Sequence, residues 1–180
     1  MTTLPAGRRS ARSDDVSSHA HHEHDAGAVT CGVITISDTR TEADDTSGQR
    51  IRALLEEHGH RVAYYRIVKD EPDQIAALIA AAPPAVEVIV CNGGTGVARR
   101  DTTYEAITRL LDKEITGFGE LFRMLSYEQI GAAAMLSRAT AGVAGRRVLF
   151  SVPGSTKAVE LAMTKLIIPQ LRHAVGLVRG

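Results

Sequence analysis

The chain has 180 residues, with 21 basic and 21 acidic side chains and no tryptophan. Balanced charge excludes an overall field that would recruit nucleic acid or an anionic membrane surface, and 4% aromatic content argues against stacking platforms for single strands. A hydrophobic fraction of 44% is ordinary for a packed globule and allows the core of one domain.

Residues 1–28 read as a tail. They are rich in Ser, His, Arg, Asp and Ala and hold few large apolar side chains, which predicts disorder. His19, His21, His22 and His24 stand close enough to hold a transition metal; a solvated tail that binds metal only adventitiously is the favoured alternative. Arg8, Arg9 and Arg12 precede no apolar segment, so no secretory signal is expected. No apolar run approaches the roughly 20 residues of a membrane span.

Residues 29–180 are expected to form a single domain. VTCGVITIS, from Val29, is β-branched and nearly uninterrupted, as a strand buried on both faces would be. DDTSGQRIRALLEEHG reads as a helix: Asp45, Thr46 or Ser47 can cap its start, Ile51, Leu54, Leu55 and His58 fall at helical spacing, and Gly59 suits its end. HRVAYYRIV is a second strand. DEPDQIAALIAAA is a second helix, with Pro72 in its first turn and Ile75, Leu78 and Ile79 on one face. AVEVIVC is a third strand. Then TTYEAITRLLDKEI carries a helical stripe of Ile107, Leu110 and Leu111, and GFGELFRMLSYEQIGAAAMLS reads as short helical pieces broken by glycine. RATAGVAGRRVLFSVPG predicts a hairpin about Ala144 and Gly145, and STKAVELAMTKLIIPQLRHAVGLV a long last helix that Pro169 bends. The alternation of strand and helix predicts α/β layering on a largely parallel sheet. Cys31 and Cys91 lie in or beside strands with no zinc spacing, which predicts buried free thiols and a reducing, cytoplasmic setting.

The third strand runs into Gly93, Gly94, Thr95 and Gly96, followed by Arg99, Arg100 and Asp101 ahead of a helix. Glycines let backbone N–H groups approach a phosphate, and arginines fork onto its oxygens. Neither the P-loop pattern nor the dinucleotide pattern fits, the latter failing at Arg99. Asp101 either caps the next helix or holds a hard divalent cation that bridges to phosphate. Asp70, at the end of the second strand, has the same two readings. In SVPGSTKA, Ser155 or Thr156 can cap a helix whose first turn holds Lys157, a cation opposed to the helix dipole unless an anion binds there. Ser126 and Gln129 fit a capping box.

Several of these segments, VITISD, DDTSG, IVKDEP, CNGGTGVARRDTTYEA, GFGELFRMLSYEQIG, SRATAGV and VPGSTKA, occur in the order found in the MogA/MoaB family of molybdenum cofactor biosynthesis. The resemblance runs from Val29 to nearly the C-terminus and is closest to the MoaB branch. It implies a three-layer α/β/α sandwich with a mostly parallel mixed sheet. It implies binding of molybdopterin and transfer of AMP from Mg-ATP to the terminal phosphate of that pterin. Carried over residue by residue, it makes Asp70 and Asp101 the catalytic and magnesium-binding pair. The glycine loop becomes Gly93, Gly94, Thr95 and Gly96; local chemistry, not the resemblance, adds Arg99 or Arg100 and Lys157 as anion-binding cations. Ser126 and the turn of Pro153, Gly154 and Ser155 complete the expected site. A homotrimer or homohexamer is implied, with other enzymes of the same biosynthesis as candidate partners; its expected surface is the Phe118, Leu121, Phe122 and Met124 region. Asn92, Tyr104 and Thr156 depart from the threonine and two prolines usual at those positions. A non-catalytic molybdopterin carrier is the alternative reading.

Overall fold

The computed structural model describes residues 27–180; residues 1–26, with the four clustered histidines, lie outside the described residues. The strands are β1 (Thr30–Ile36), β2 (Arg61–Val68), β3 (Val88–Asn92), β4 (Lys113–Glu114), β5 (Thr140–Ala144) and β6 (Arg147–Val152). They form one sheet in the order β2-β1-β3-β6-β5-β4. The first four of that order are parallel neighbours, and β5 pairs antiparallel with both β6 and β4. The sheet is thus mixed and mostly parallel. β1 and β3 sit in its middle and are buried almost throughout, which explains their unbroken β-branched runs. β2 lies at one edge and alternates between exposed and buried residues.

Helices cover both faces. α1 (Thr46–Glu57), α4 (Thr116–Ile130), α5 (Thr156–Ala162) and α6 (Ile168–Arg179) pack on one side, where Ile51, Leu55, Phe122, Val159 and Leu171 join Val33, Val90 and Phe150. α2 (Pro72–Ala81) and α3 (Thr103–Thr108) cover the other, where Ile75, Ile79 and Ile107 meet Ile34, Ile89 and Leu149. The result is the three-layer α/β/α sandwich expected. Asp45 caps α1, and Pro72 opens α2. The hairpin turns at Gly145, whose φ of 58° is left-handed.

Two helical expectations are corrected, and a third is sharpened. The stretch from Gly117 is not broken: α4 runs unbroken for 15 residues, followed by a 3-10 helix over Gly131–Leu136. Gly119 marks a close approach instead, because a methyl group there would lie 2.6 Å from the Ala139 carbonyl oxygen. Ser126 therefore lies inside a helix and caps nothing. The helix expected from Thr102 to Ile115 stops at Thr108, because Asp112 N–H and Ile115 N–H bond to Val143 and Ala141 and draw the chain into the edge strand β4. The last helix is continuous but contains a π turn over Met163–Ile167, just ahead of Pro169. The wider turn absorbs the imino nitrogen that cannot donate.

In this strand order β1 is flanked by β2 on one side and β3 on the other. In open α/β sheets ligands bind outside the carboxyl ends of the strands at such a reversal. The glycine loop leaves β3 at that place.

Candidate functional site

The loop after β3 takes its shape from its glycines. Gly93 and Gly94 have φ of 109° and 62°, which a side chain adopts only with strain. Space forbids a side chain as well. A methyl group on Gly94 would sit closer than 3.0 Å to Thr103 Oγ1, Thr103 Cβ and Asp70 Oδ2. The N–H of Gly93 bonds to Val152 at 3.0 Å, tying the loop to the end of β6. The N–H groups of Gly94, Thr95 and Gly96 donate to no described residue. They remain open to an anion.

A cavity of about 340 Å³ lies beside this loop. Gly94, Thr95, Gly96 and Asp101 form one wall. Pro153, Gly154 and Ser155 form another, and Ser126 and Ile130 of α4 face them. Of the residues expected at the site, the fold brings these eight together: Gly94, Thr95, Gly96, Asp101, Ser126, Pro153, Gly154 and Ser155. Ser126 is buried. Ser155 caps α5, accepting from Ala158 N–H at 3.3 Å.

The two aspartates both reach the loop, and neither caps a helix. Asp101 Oδ2 accepts from Ala98 N–H at 3.0 Å and would meet a methyl group on Gly96 at 2.6 Å. Its Oδ1 accepts nothing from the described residues and is open to a ligand. Asp70 is buried and does not line the cavity. Its Oδ1 accepts from Thr102 Oγ1 at 2.8 Å, Thr103 Oγ1 at 3.2 Å and Thr102 N–H at 3.2 Å. It fastens the start of α3 behind the loop. Among the described residues, no group of three or more His, Cys, Asp or Glu stands together to hold a metal. Magnesium is commonly held by one or two carboxylates plus substrate phosphates, and Asp101 fits that role. Asp70, with its oxygens already taken, fits it less well.

The cations stand elsewhere than expected. Arg100 points away from the cavity into an ion cluster, with Nη2 2.7 Å and Nε 2.8 Å from the Asp38 carboxylate and Nη1 2.8 Å from Glu71. Hydrogen bonds from that guanidinium hold the Asp38 carboxyl below its ordinary range. Geometry explains the difference: two carboxylates within reach of a forked guanidinium make a better partner than an open mouth. Arg99 and Lys157 are exposed and make no hydrogen bond or ion pair with the described residues. Gly93 sits under the loop and does not line the cavity.

Sequence reasoning passed over the residue that shapes the loop most. Arg138 precedes β5. Its N–H bonds to Thr95 at 3.0 Å, its Nε to the Gly96 carbonyl at 2.8 Å and its Nη2 to the Asp101 carbonyl at 2.9 Å. Nη1 pairs with Glu105, and the guanidinium lies 5.1 Å from the centre of the Tyr104 ring. One arginine thus clamps both ends of the loop. The only local signal was a lone cation in a run of small residues.

A family model described as "Probable molybdopterin binding domain" matches residues 32–173. The chain is 54% identical over 156 residues to the molybdenum cofactor biosynthesis protein B of Bacillus cereus, covering 85% of this chain and 92% of that protein. Among solved structures it resembles a molybdenum cofactor biosynthesis protein B with a TM-score of 0.83 and 53% identity, over 85% of this chain and 97% of that one. It also resembles the tungsten cofactor synthesizing protein MoaB from Pyrococcus furiosus, with a TM-score of 0.78 and 39% identity, over 85% of this chain and 98% of that one.

Proposed function

The chain belongs to the molybdopterin-binding domain family of molybdenum cofactor biosynthesis, and from that premise we propose that it is a molybdopterin adenylyltransferase. It binds molybdopterin and transfers AMP from Mg-ATP to the terminal phosphate, giving adenylyl-molybdopterin and pyrophosphate. A phosphate oxygen of the pterin attacks the α-phosphorus of ATP, and the bond from that phosphorus to the oxygen bridging to the β-phosphate breaks. Both reactants are anions, so the protein's part is positioning and charge neutralisation. Magnesium arriving with the nucleotide would offset the charge of the triphosphate. The N–H groups of Gly94, Thr95 and Gly96 receive phosphate oxygens, Asp101 Oδ1 receives the cation, and Asp70 keeps α3 and the loop in register.

The observation that carries this reading is that Gly94, Thr95 and Gly96, whose N–H groups donate to no described residue, line the same cavity of about 340 Å³ as Asp101, which has one carboxylate oxygen unpaired among the described residues. The test is pyrophosphate release from protein, molybdopterin and Mg-ATP. Asp101→Asn should abolish release while the pterin still binds, since the amide oxygen can keep accepting from Ala98 N–H. An intact protein that binds the pterin and releases no pyrophosphate would establish the carrier instead.

The protein assembles as a homotrimer or homohexamer in this reading. Support comes from α4 and the 3-10 helix after it, where Leu121, Met124, Tyr127, Ile130, Met135 and Leu136 are exposed apolar side chains. Phe118 and Phe122, expected on the same surface, are core instead. Among the described residues no helix is long and apolar enough to cross a membrane. A cytoplasmic place, with other enzymes of the biosynthesis as partners, belongs to the same proposal.

A further inference from the structure

The cavity is walled by two turns, 94–96 and 153–155, and the second is set from behind. Where the chain passes from β1 to α1 it buries a carboxylate. Asp45 is fully buried and accepts from Thr35 Oγ1 at 2.5 Å, Tyr65 Oη at 2.7 Å, Gly48 N–H at 3.0 Å and Arg40 Nη1 at 3.3 Å. Arg40 Nη1 also donates to Ser47 Oγ. Ser47 Oγ donates to Asn92 Oδ1 at 2.8 Å, and Asn92 Nδ2 donates to Thr35 Oγ1 at 2.9 Å. The network therefore ends at the residue that precedes the glycine loop.

Arg40 carries the network out to the second turn. Its Nη2 donates to the Gly154 carbonyl oxygen at 3.1 Å. A guanidinium is planar, so fixing Nη1 on Asp45 and Ser47 fixes the direction of Nη2. The peptide joining Gly154 to Ser155 is trans, and in a trans peptide the carbonyl and the next N–H point to opposite sides. Arg40 does not line the cavity; it lines the neighbouring groove with Ser37, Asp38 and Lys69. Gly154 and Ser155 do line it. Holding the Gly154 oxygen on the far side therefore turns the Ser155 N–H toward the cavity. That N–H donates to no described residue.

We propose that Arg40 is a positioning residue: it aims the Ser155 amide into the cavity as a fourth main-chain donor, across from the glycine loop, for a phosphate monoester. The inference rests on the reading of the cavity as the molybdopterin site, and the phosphate is the terminal one of that pterin. Asp45, Ser47 and Asn92 hold Arg40 in place and touch no ligand.

The test compares molybdopterin with its dephosphorylated form as probes, by fluorescence titration of the whole protein. Arg40→Lys keeps a cation beside Asp45 but loses the planar fork. It should bind molybdopterin about 10- to 100-fold more weakly, the effect of one hydrogen bond to a charged group, and bind the dephosphorylated pterin as the wild type does. Arg40→Ala should behave alike, and added guanidinium below denaturing concentrations should restore much of its affinity. A loss equal for both probes would make Arg40 a purely structural residue and overturn the proposal, as would wild-type affinity in Arg40→Lys. If the intact protein bound neither pterin, the molybdopterin reading itself would fall, and this inference with it.

Discussion

The shape of the glycine loop makes a measurable claim at Gly94. Replacing it with alanine forces a left-handed φ of 62° on a residue with a Cβ, which costs about 1–2 kcal/mol. The new methyl group also lands closer than 3.0 Å to Thr103 Oγ1, Thr103 Cβ and Asp70 Oδ2. Neither neighbour can yield cheaply. Thr103 is fully buried and Asp70 nearly so, and Asp70 Oδ1 holds Thr102 Oγ1 at 2.8 Å and Thr103 Oγ1 at 3.2 Å. Each hydrogen bond to a buried charged group is worth about 1.5–3 kcal/mol, so losing both brings the total for Gly94→Ala to about 4 kcal/mol or more. Gly59 supplies the control: its φ is 77°, yet nothing lies within 4 Å of where its Cβ would be. Gly59→Ala should lose only the conformational part, about 1–2 kcal/mol. Urea unfolding of the two variants beside the wild type measures both numbers. In a domain of this size Gly94→Ala should melt about 8 °C or more below the wild type. If the two variants unfolded within about 1 kcal/mol of each other, the packing of Asp70 and Thr103 against the loop would be refuted.

Asp45 predicts the acid limb of stability. Burial pushes its carboxyl up, but hydrogen bonds led by those from Thr35, Gly48 N–H and Tyr65 outweigh it and hold the group below its ordinary value of 3.8. A depressed folded-state pKa gives stability that is complete above the unfolded-state value and is lost as the pH falls from there through the lower folded-state value. Asp45→Asn should therefore be less stable at neutral pH and show a shallower loss of stability between about pH 5 and pH 3 by urea unfolding; an unchanged slope would remove Asp45 from the account. Burial pushes the Cys31 and Cys91 thiols up to about 12, with Glu87 adding to the effect at Cys31. The native protein should therefore leave both thiols unreacted with an aromatic disulfide reagent at pH 8 and release two equivalents after unfolding, whereas a fast native thiol would contradict their burial.

The fold could be read from the chain wherever the determining forces act within a few residues. β1, β2 and β3 announced themselves by their apolar runs, α1 by Asp45 and Ile51, and the hairpin by Gly145. Reading failed where a distant partner decided. The chain after Thr108 keeps its helical stripe at Leu110 and Leu111, yet pairing with Val143 and Ala141 makes it a strand. α4 contains Gly117 and Gly119 but is held by Phe118 and Phe122 in the core. Tertiary burial outweighed local preference in both.

The candidate site divides along the same line. Asp70 and Asp101 look alike in sequence: each is an acidic residue just ahead of a helix, and each reads equally as a cap or as a ligand. The folded chain separates them. Asp70 meets Thr102 and Thr103, some 30 residues on, and these take up its oxygens. Asp101, which lines the cavity, accepts from Ala98 N–H with one oxygen and leaves the other without a partner among the described residues. Arg100 and Arg138 separate in the same way. Arg100 stands inside the glycine motif yet turns to Asp38 and Glu71, while Arg138, 42 residues beyond Gly96, closes the loop. A motif therefore locates the backbone that meets a ligand, because glycine acts where it stands. It does not assign the charges around it, because a long side chain goes to whichever opposite charge the fold sets within its reach, and that distance exists only once the sheet has formed.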